Sequence, residues 1–501
     1  MTNFPVAIQS GLTSPHPALS RVRVPSVHIW CALAGLVLLL FPLGSVGSAN
    51  AEGMVWATAL TLGFLGAHSL YAAHAAGLNM WLAPGPLLML YFGLRYGCGA
   101  LTTFYCEYYP WRTFPALRTA QHHNGIWDNL PSACHLILLF AFGMYIGLGL
   151  RTNRLLGCLP RLRWPIAVPK LQTSLVLLTP VGIAALTIIT GGEESSLAGT
   201  VLTFGAMVYP AILLASYWFF TARTYASRLR WGIFLLLACG GSLPPALKSG
   251  QMFTFLTPLV MLFLGRLLAT GSPPWKLLLA LSPILFHIVL PMTAFYKHAK
   301  LPGRSVEERV DRAYQMFKAA DASGRLELTL ERTVLRSSGV FLPAVYSQYF
   351  PRVYPFEWGR TFAVEATSLV PRLLWPEKPN VSRELNLYSV RVRILSEGHG
   401  SAVFDAISEY YVNFGAVGVF LLSIVHGFYW KLLHDWLAYR VHYLLGISMF
   451  LYLCVVNEGF FGVGFILMTH VKAVGLWLFL LYLCSKRHGP GSYAAARRTL
   501  G

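Results

Sequence analysis

The chain has 501 residues, of which 55% are hydrophobic and only 12% charged, with a mean hydropathy of +0.55. Soluble domains carry about 25% charged residues, so this composition excludes a water-soluble globular protein and points to an all-α polytopic membrane protein. The formal charge of +19 does not call for nucleic acid, because Lys and Arg cluster in short connections between apolar runs.

A bilayer core takes about 20 apolar residues per helix. In chain order, the runs that meet this are Val27–Val46, Met54–Ala75, Leu82–Phe104, Pro131–Leu150, Leu171–Thr190 and Thr200–Thr221. They continue with Trp231–Leu247, Met252–Ala269, Leu277–Tyr296, Ala406–Trp430, Tyr443–Val456 and Phe460–Cys484. The sequence therefore predicts about twelve transmembrane helices, with a short span at Tyr443 and a kinked or re-entrant element near Pro244-Pro245. Residues 1–296 form an N-terminal bundle of about nine helices, 297–405 one large exported loop, 406–484 about three further helices, and 485–501 a basic tail.

Short-loop charge sets the orientation. Arg21 and Arg23 precede the first run, Arg151, Arg154, Arg161, Arg163 and Lys170 flank one connection, and Arg223, Arg228 and Arg230 another. With Lys486, Arg487, Arg497 and Arg498 after the last run, both termini are expected in the cytoplasm. The loop 297–405 then lies outside, and its own basic residues do not oppose this, because long loops translocate largely regardless of charge. The first apolar run lacks a small-residue cleavage site close behind it and reads as a signal anchor.

Inside the loop, Val306–Lys318 has the charge and apolar pattern of a short amphipathic helix. Leu326–Gly339 reads as a second, with Arg332 and Arg336 one turn apart on one face. From Val340 to Pro379 the prolines are expected to break regular structure.

Three groups of residues carry chemistry. Arg332, Arg336, Arg360, Arg372, Lys378, Arg383, Arg391 and Arg393 crowd the exported loop. Guanidinium forks suit phosphate oxygens, and Lys adds a point charge. The plainer role for any one of them is contact with anionic headgroups or with acids in the same loop. Asp405 and Glu409 lie four apart at the start of the tenth span, on one helix face at the membrane edge. A partly desolvated carboxylate there can accept a proton from a hydroxyl; the competing role is to cap the helix against its dipole. Arg95, Lys248 and Glu458 are charges at membrane depth, with Arg95 and Glu458 candidates to pair across the bundle. His122-His123 with Asp128 lacks a third ligand of suitable spacing, so no metal is expected. No nucleotide-cradling or G-x-S-x-G pattern occurs, so no cofactor is expected.

Four segments taken together resemble a known family. They are Glu331-Arg332-Thr333-Val334-Leu335-Arg336, Tyr354-Pro355-Phe356-Glu357-Trp358-Gly359-Arg360-Thr361-Phe362, Pro371-Arg372-Leu373-Leu374-Trp375-Pro376-Glu377-Lys378-Pro379, and Ile407-Ser408-Glu409-Tyr410-Tyr411-Val412-Asn413-Phe414-Gly415-Ala416-Val417-Gly418. Over roughly Arg332–Gly418 the chain resembles the Wzy-type oligosaccharide repeat-unit polymerases, or O-antigen polymerases; elsewhere the likeness is one of topology.

That resemblance implies glycosyl transfer on the outer face of the bacterial cytoplasmic membrane. The donor is a chain on undecaprenyl pyrophosphate, the acceptor a fresh lipid-linked repeat unit, and no metal or nucleotide is used. Partners would be the lipid-linked oligosaccharide, membrane lipid, and a chain-length regulator and flippase of the same pathway. Carried onto this sequence, Arg332, Arg336, Arg360, Arg372 and Lys378 would hold pyrophosphate and Glu409 would be the base, with Trp375, Lys248 and Arg95 completing the site. One departure is Gln251, which stands after Ser249-Gly250 where many members have Arg; Lys248 is the nearest substitute. A ligase-like transferase would share this chemistry with another acceptor. A transporter or flippase of lipid-linked saccharide predicts charges lining the bundle centre and an internal repeat, and neither is evident.

Overall fold

The computed structural model describes residues 51–108, 126–162, 166–189, 205–249, 252–299, 305–325, 339–367, 370, 374–375, 377–394, 404–456 and 463–485. It is all-helical, with 83% helix and no strand among the described residues. The expected first span, Val27–Val46, lies outside them.

In chain order the helices begin with α1 (Ala51–Ala75) and α2 (Pro84–Phe92), which runs through a π-helical turn, Gly93–Cys98, into α3 (Gly99–Tyr108). Then come α4 (Ile126–Gly149), α5 (Asn153–Cys158), α6 (Val168–Ile189), α7 (Val208–Thr221), α8 (Tyr225–Gly241), α9 (Leu243–Ser249) and α10 (Met252–Thr270). A second π turn, Leu285–Val289, joins α11 (Trp275–Ile284) to α12 (Leu290–His298). The segment between α12 and Ala406, called the loop below, holds α13 (Val306–Ala319), α14 (Phe341–Tyr349), α15 (Arg360–Ala366) and α16 (Val381–Arg391). The last elements are α17 (Ala406–Trp436), its π extension Leu437–Val441, α18 (Tyr443–Val456) and α19 (Val463–Leu483).

Among the described residues, six helices are long and apolar enough to cross a membrane, as in a multi-pass membrane protein: Ala51–Ala75, Asn129–Gly149, Val168–Thr187, Tyr225–Leu247, Leu278–Tyr296 and Ala406–Val441. Val208–Thr221, Phe255–Thr270, Tyr443–Val455 and Thr469–Leu483 are apolar but shorter. Near Pro244-Pro245, where a kinked or re-entrant element is expected, the helix is interrupted: α8 ends at Gly241, and α9 restarts with both prolines in its first turn, where a missing N–H costs nothing.

The centre of the bundle is the seam between α4 and α17. A Cβ at Gly143 would strike Ser423, one at Gly147 the Ile424 carbonyl, and one at Gly427 the Met144 carbonyl. Small residues four apart on both helices thus bring the two backbones into contact.

α17 is broken at Gly415, whose φ of 67° and ψ of −163° suit glycine alone. In an unbroken helix, residues sixteen apart stand about 24 Å from each other. Here Tyr410 Oη and His426 Nδ1 are 2.8 Å apart. The segment before Gly415 is therefore folded back against the one after it.

In the loop, α13 matches the expected amphipathic helix and is started by a capping box of Ser305 and Glu308. It packs Ala313, Met316 and Phe317 against Phe295 and Tyr296 at the end of α12. The expected second helix falls almost wholly in residues 326–338, outside the described residues. Contrary to expectation, 340–379 holds two helices, because its prolines bracket them. Pro343 sits in the first turn of α14, and Pro351 and Pro355 lie between α14 and α15.

Candidate functional site

The break at Gly415 leaves carbonyls near the end of the first α17 segment without helical partners, and the loop supplies donors to them. Glu357 N–H donates to Val412 O at 3.0 Å and Trp358 N–H to Asn413 O at 3.2 Å. Gly359 N–H donates to Asn413 Oδ1 at 2.8 Å. Non-helical backbone inside a membrane protein survives where its polar groups are satisfied in this way. The loop then enters α15 through Gly359, whose φ is +90°.

Docked there, α15 turns Thr361 and Glu365, one turn apart, toward Glu409 and Asn413, one turn apart on α17. Thr361 Oγ1 donates to Glu409 Oε1 at 2.8 Å. Asn413 Nδ2 donates to Thr361 Oγ1 at 2.7 Å and to Glu409 O at 2.8 Å. Glu365 and Glu409 are both buried, at 2% and 0% exposure. The Glu365 carboxyl lies against that of Glu409 as charge and as hydrogen-bond neighbour. Glu409 Oε2 has no hydrogen-bond partner among the described residues by distance and angle. Glu365 escaped the sequence reading, although Thr361-x-x-x-Glu365 mirrors Glu409-x-x-x-Asn413 in spacing.

Asp405 takes a different place from Glu409. It is the N-cap of α17, accepting from Ser408 N–H at 2.8 Å, and Tyr96 Oη donates to its Oδ2 at 3.0 Å. Burial pushes the Asp405 carboxyl above its ordinary range, a shift opposed by the Ser408 bonds and by the charge of Arg95. Arg95 sits in the π turn of α2–α3, 5.8 Å from the Tyr96 ring, and donates to Tyr91 Oη at 3.2 Å. Its charge acts on the Asp405 side of the bundle. Glu458, the other expected partner, lies outside the described residues.

The outer surface of the same assembly is cationic and aromatic. Glu357 is the hub: Arg391 Nη1 lies 3.2 Å from it and Arg360 Nη1 3.9 Å, and it bonds Tyr388. Burial and then the Glu357 carboxylate push the Tyr388 phenol up to about 12. Arg360 keeps its side chain 63% exposed. Trp358 is 75% exposed, yet its φ is +48°, a costly conformation for a bulky residue. Two hydrogen bonds to Asn413 hold it there, from Trp358 N–H to the main-chain oxygen and from Gly359 N–H to Oδ1. Its ring meets Phe356 and Phe414 edge-on.

The other sequence candidates separate. Lys378 turns its ammonium to backbone, donating to Val370 O at 2.6 Å and Thr367 O at 3.4 Å just past the end of α15. Trp375 is exposed. Lys248 lies in α9, but its side chain lies outside the described set, as do Arg332, Arg336, Arg372 and Gln251. The structure thus brings Glu409 and Arg360 into one assembly and leaves Arg95 on the Asp405 side. Asp405, Glu365 and Glu409 are all buried. No group of three or more metal-ligating side chains occurs among the described residues.

Residues 268–464 match a family described as a domain of unknown function (DUF8712). The match runs from the last turn of α10 to the first residues of α19 and so takes in the whole α15–α17 assembly. No curated protein and no solved structure matches the chain.

Proposed function

We propose that this chain is a membrane glycosyltransferase that joins polyprenyl-pyrophosphate-linked oligosaccharide repeat units into a polysaccharide, on the outer face of a bacterial cytoplasmic membrane. One observation supports the reading most. Exposed Arg360 and Arg391 stand with Trp358 on a loop hydrogen-bonded to the helix that carries the buried carboxyl of Glu409. Preplaced cations lower the cost of expelling pyrophosphate, a carboxylate takes up the acceptor's proton, and an exposed indole offers a face for a sugar ring. Lys378 holds the end of α15 in this reading, and Arg332, Arg336 and Arg372 join Arg360 at the pyrophosphate. The reading includes about twelve crossings, with both termini cytoplasmic and residues 297–405 outside.

The test is a product ladder. Purified protein in nanodiscs receives lipid-pyrophosphate-linked repeat units, with EDTA present, and wild type is compared with Arg360→Ala and Arg372→Ala. A wild-type ladder that collapses in either folded variant supports the reading. Transfer of a finished chain to a different acceptor, with no ladder, would make the protein a ligase instead.

A transporter or flippase of lipid-linked saccharide is the second reading. A broken helix folded back into the bundle with buried carboxyls favours it, because such elements line transport sites. Movement of intact lipid-linked unit across a liposome bilayer, without elongation, would establish it over the polymerase.

A further inference from the structure

We propose that Glu365 and Glu409 hold one proton between them and act as a single base, so that Glu365 is a positioning residue for the transfer proposed above. The inference rests on that reading for its chemistry, but on hydrogen-bond accounting for its geometry.

The donors around Glu409 are already committed. Asn413 Nδ2 goes to Thr361 and to a main-chain carbonyl, and its Oδ1 takes Gly359 N–H. The one hydroxyl proton of Thr361 goes to Glu409 Oε1, which leaves Oε2 buried with no described donor. A carboxylate oxygen in that position lacks the hydrogen bond that burial demands. The charges acting on Glu409 are those of Glu365 from α15 and Asp405 from its own helix, both acidic.

The nearby cations are engaged elsewhere. Arg360, on α15, turns outward to Glu357, and Arg95, on the π turn of α2–α3, acts on Asp405. On α19, which packs against α15, the described titratable side chains are His470, bonded to Tyr429, Lys472 and the exposed Tyr482. Two carboxyls that share a buried site do not both ionise, and one proton between them satisfies the orphan oxygen.

The proton shared between the two carboxyls hydrogen-bonds the one charge that remains, so the pair stays singly ionised in the buried site and has room for one more proton. In the transfer, the acceptor hydroxyl oxygen bonds to the anomeric carbon of the donor sugar. The bond from that carbon to the phosphate oxygen breaks, its electron pair leaves with the lipid pyrophosphate, and the hydroxyl proton passes to the pair. Glu409 has no exposed surface, so the acceptor reaches it when α15 lifts from α17. Glu365 acts through Glu409 and titrates with it as one unit.

Infrared difference spectroscopy of the purified protein, without substrate, tests the pair directly. At neutral pH the wild type should show a protonated-carboxyl band, distinct from any that Asp405→Asn removes, that disappears in both Glu365→Gln and Glu409→Gln. Persistence of the band in either folded variant would mean that the groups titrate separately, and its absence from wild type would mean that no proton is held; either result overturns the proposal. Glu365→Asp, which keeps a carboxyl, should retain the band. In the ladder assay, Glu365→Gln should move the acid limb of the pH–rate profile to higher pH, because an amide stabilises the remaining carboxylate less than the shared proton does, a shift that a merely structural role would not produce. A ladder without the band sinks the pair and leaves the polymerase; a band without a ladder leaves the shared proton and sinks its role in transfer.

Discussion

Tyr410 Oη is bonded to His426 Nδ1 at 2.8 Å, and Trp430 Nε1–H donates to the other ring nitrogen at 2.9 Å. Because Nε2 accepts, the neutral ring carries its proton on Nδ1 and donates it to Tyr410. The returning segment of α17 is thus fastened to the body of its own helix by a histidine of fixed tautomer, with Phe140 stacked beside Tyr410 at 6.0 Å. Tyr410→Phe leaves a buried ring N–H unsatisfied. The expected loss is about 1–3 kcal/mol, read as a fall in thermal stability in detergent, with no comparable loss for the exposed Tyr225→Phe.

Gly415→Ala tests the break. The backbone there lies in a region essentially closed to side chains, and an added Cβ would meet Phe356 Cζ at 3.0 Å. A destabilisation of about 1–3 kcal/mol is expected from strain alone. Adding Phe356→Ala should not restore it, since the strain is in the main chain. Wild-type stability in Gly415→Ala would mean that the helix does not turn back at this residue.

The α4–α17 seam makes a contrasting pair. Gly147→Ala drives a methyl into the Ile424 carbonyl, whereas a methyl at Gly53 meets nothing within 4 Å. Overpacking of this kind costs about 1–3 kcal/mol. Unfolding temperatures of the two variants should therefore separate clearly, with Gly53→Ala close to wild type.

Trp358→Gly should leave the fold at least as stable while lowering product formation. Glycine removes the strain of φ +48°, and the indole it deletes is mostly exposed. A ladder of unchanged length and yield would take Trp358 out of the saccharide site.

Alkaline pH should loosen the loop through Tyr388. Its phenol ionises at about 12 in the folded chain against an ordinary 10.0, so the folded loop favours the protonated form. The stability this contributes is complete below about pH 10 and fades as pH rises toward about 12. Tyr388→Phe should flatten that portion of a base-unfolding curve, and parallel curves for the two proteins would dismiss Tyr388 as its cause.

What the sequence disclosed follows the physics of each signal. Apolar run length marked α1, α6 and α17, because a bilayer imposes that length on any helix crossing it. α13 was readable because the alternation of charged and apolar residues along an amphipathic helix is a local signal. The fold-back at Gly415 was not: Asn413-Phe414-Gly415 sits in an otherwise continuous apolar pattern, and the break is held by donors from Glu357, Trp358 and Gly359, more than fifty residues away. Glu365 was missed for the same reason, since only the docking of α15 on α17 brings it to Glu409. Gly143 and Gly147 did carry a readable spacing, but which helix they meet is a tertiary fact.

The hydrogen bonds that the main-chain N–H groups of Glu357, Trp358 and Gly359 donate to Val412 and Asn413 have a mechanical consequence. They cross from loop to helix on one side of Gly415 only, so α15 and the returning segment are laced into one flap while the rest of α17 is bolted to α4. Swinging that flap about Gly415 would carry Arg360 and Trp358 along with Glu409, keeping the cation and the aromatic ring in step with the acid. Lifting α15 away by itself would instead unlace them and bare the carboxyl. A swing and a peel would thus differ in what they break: the first turns on a single glycine, the second parts three hydrogen bonds.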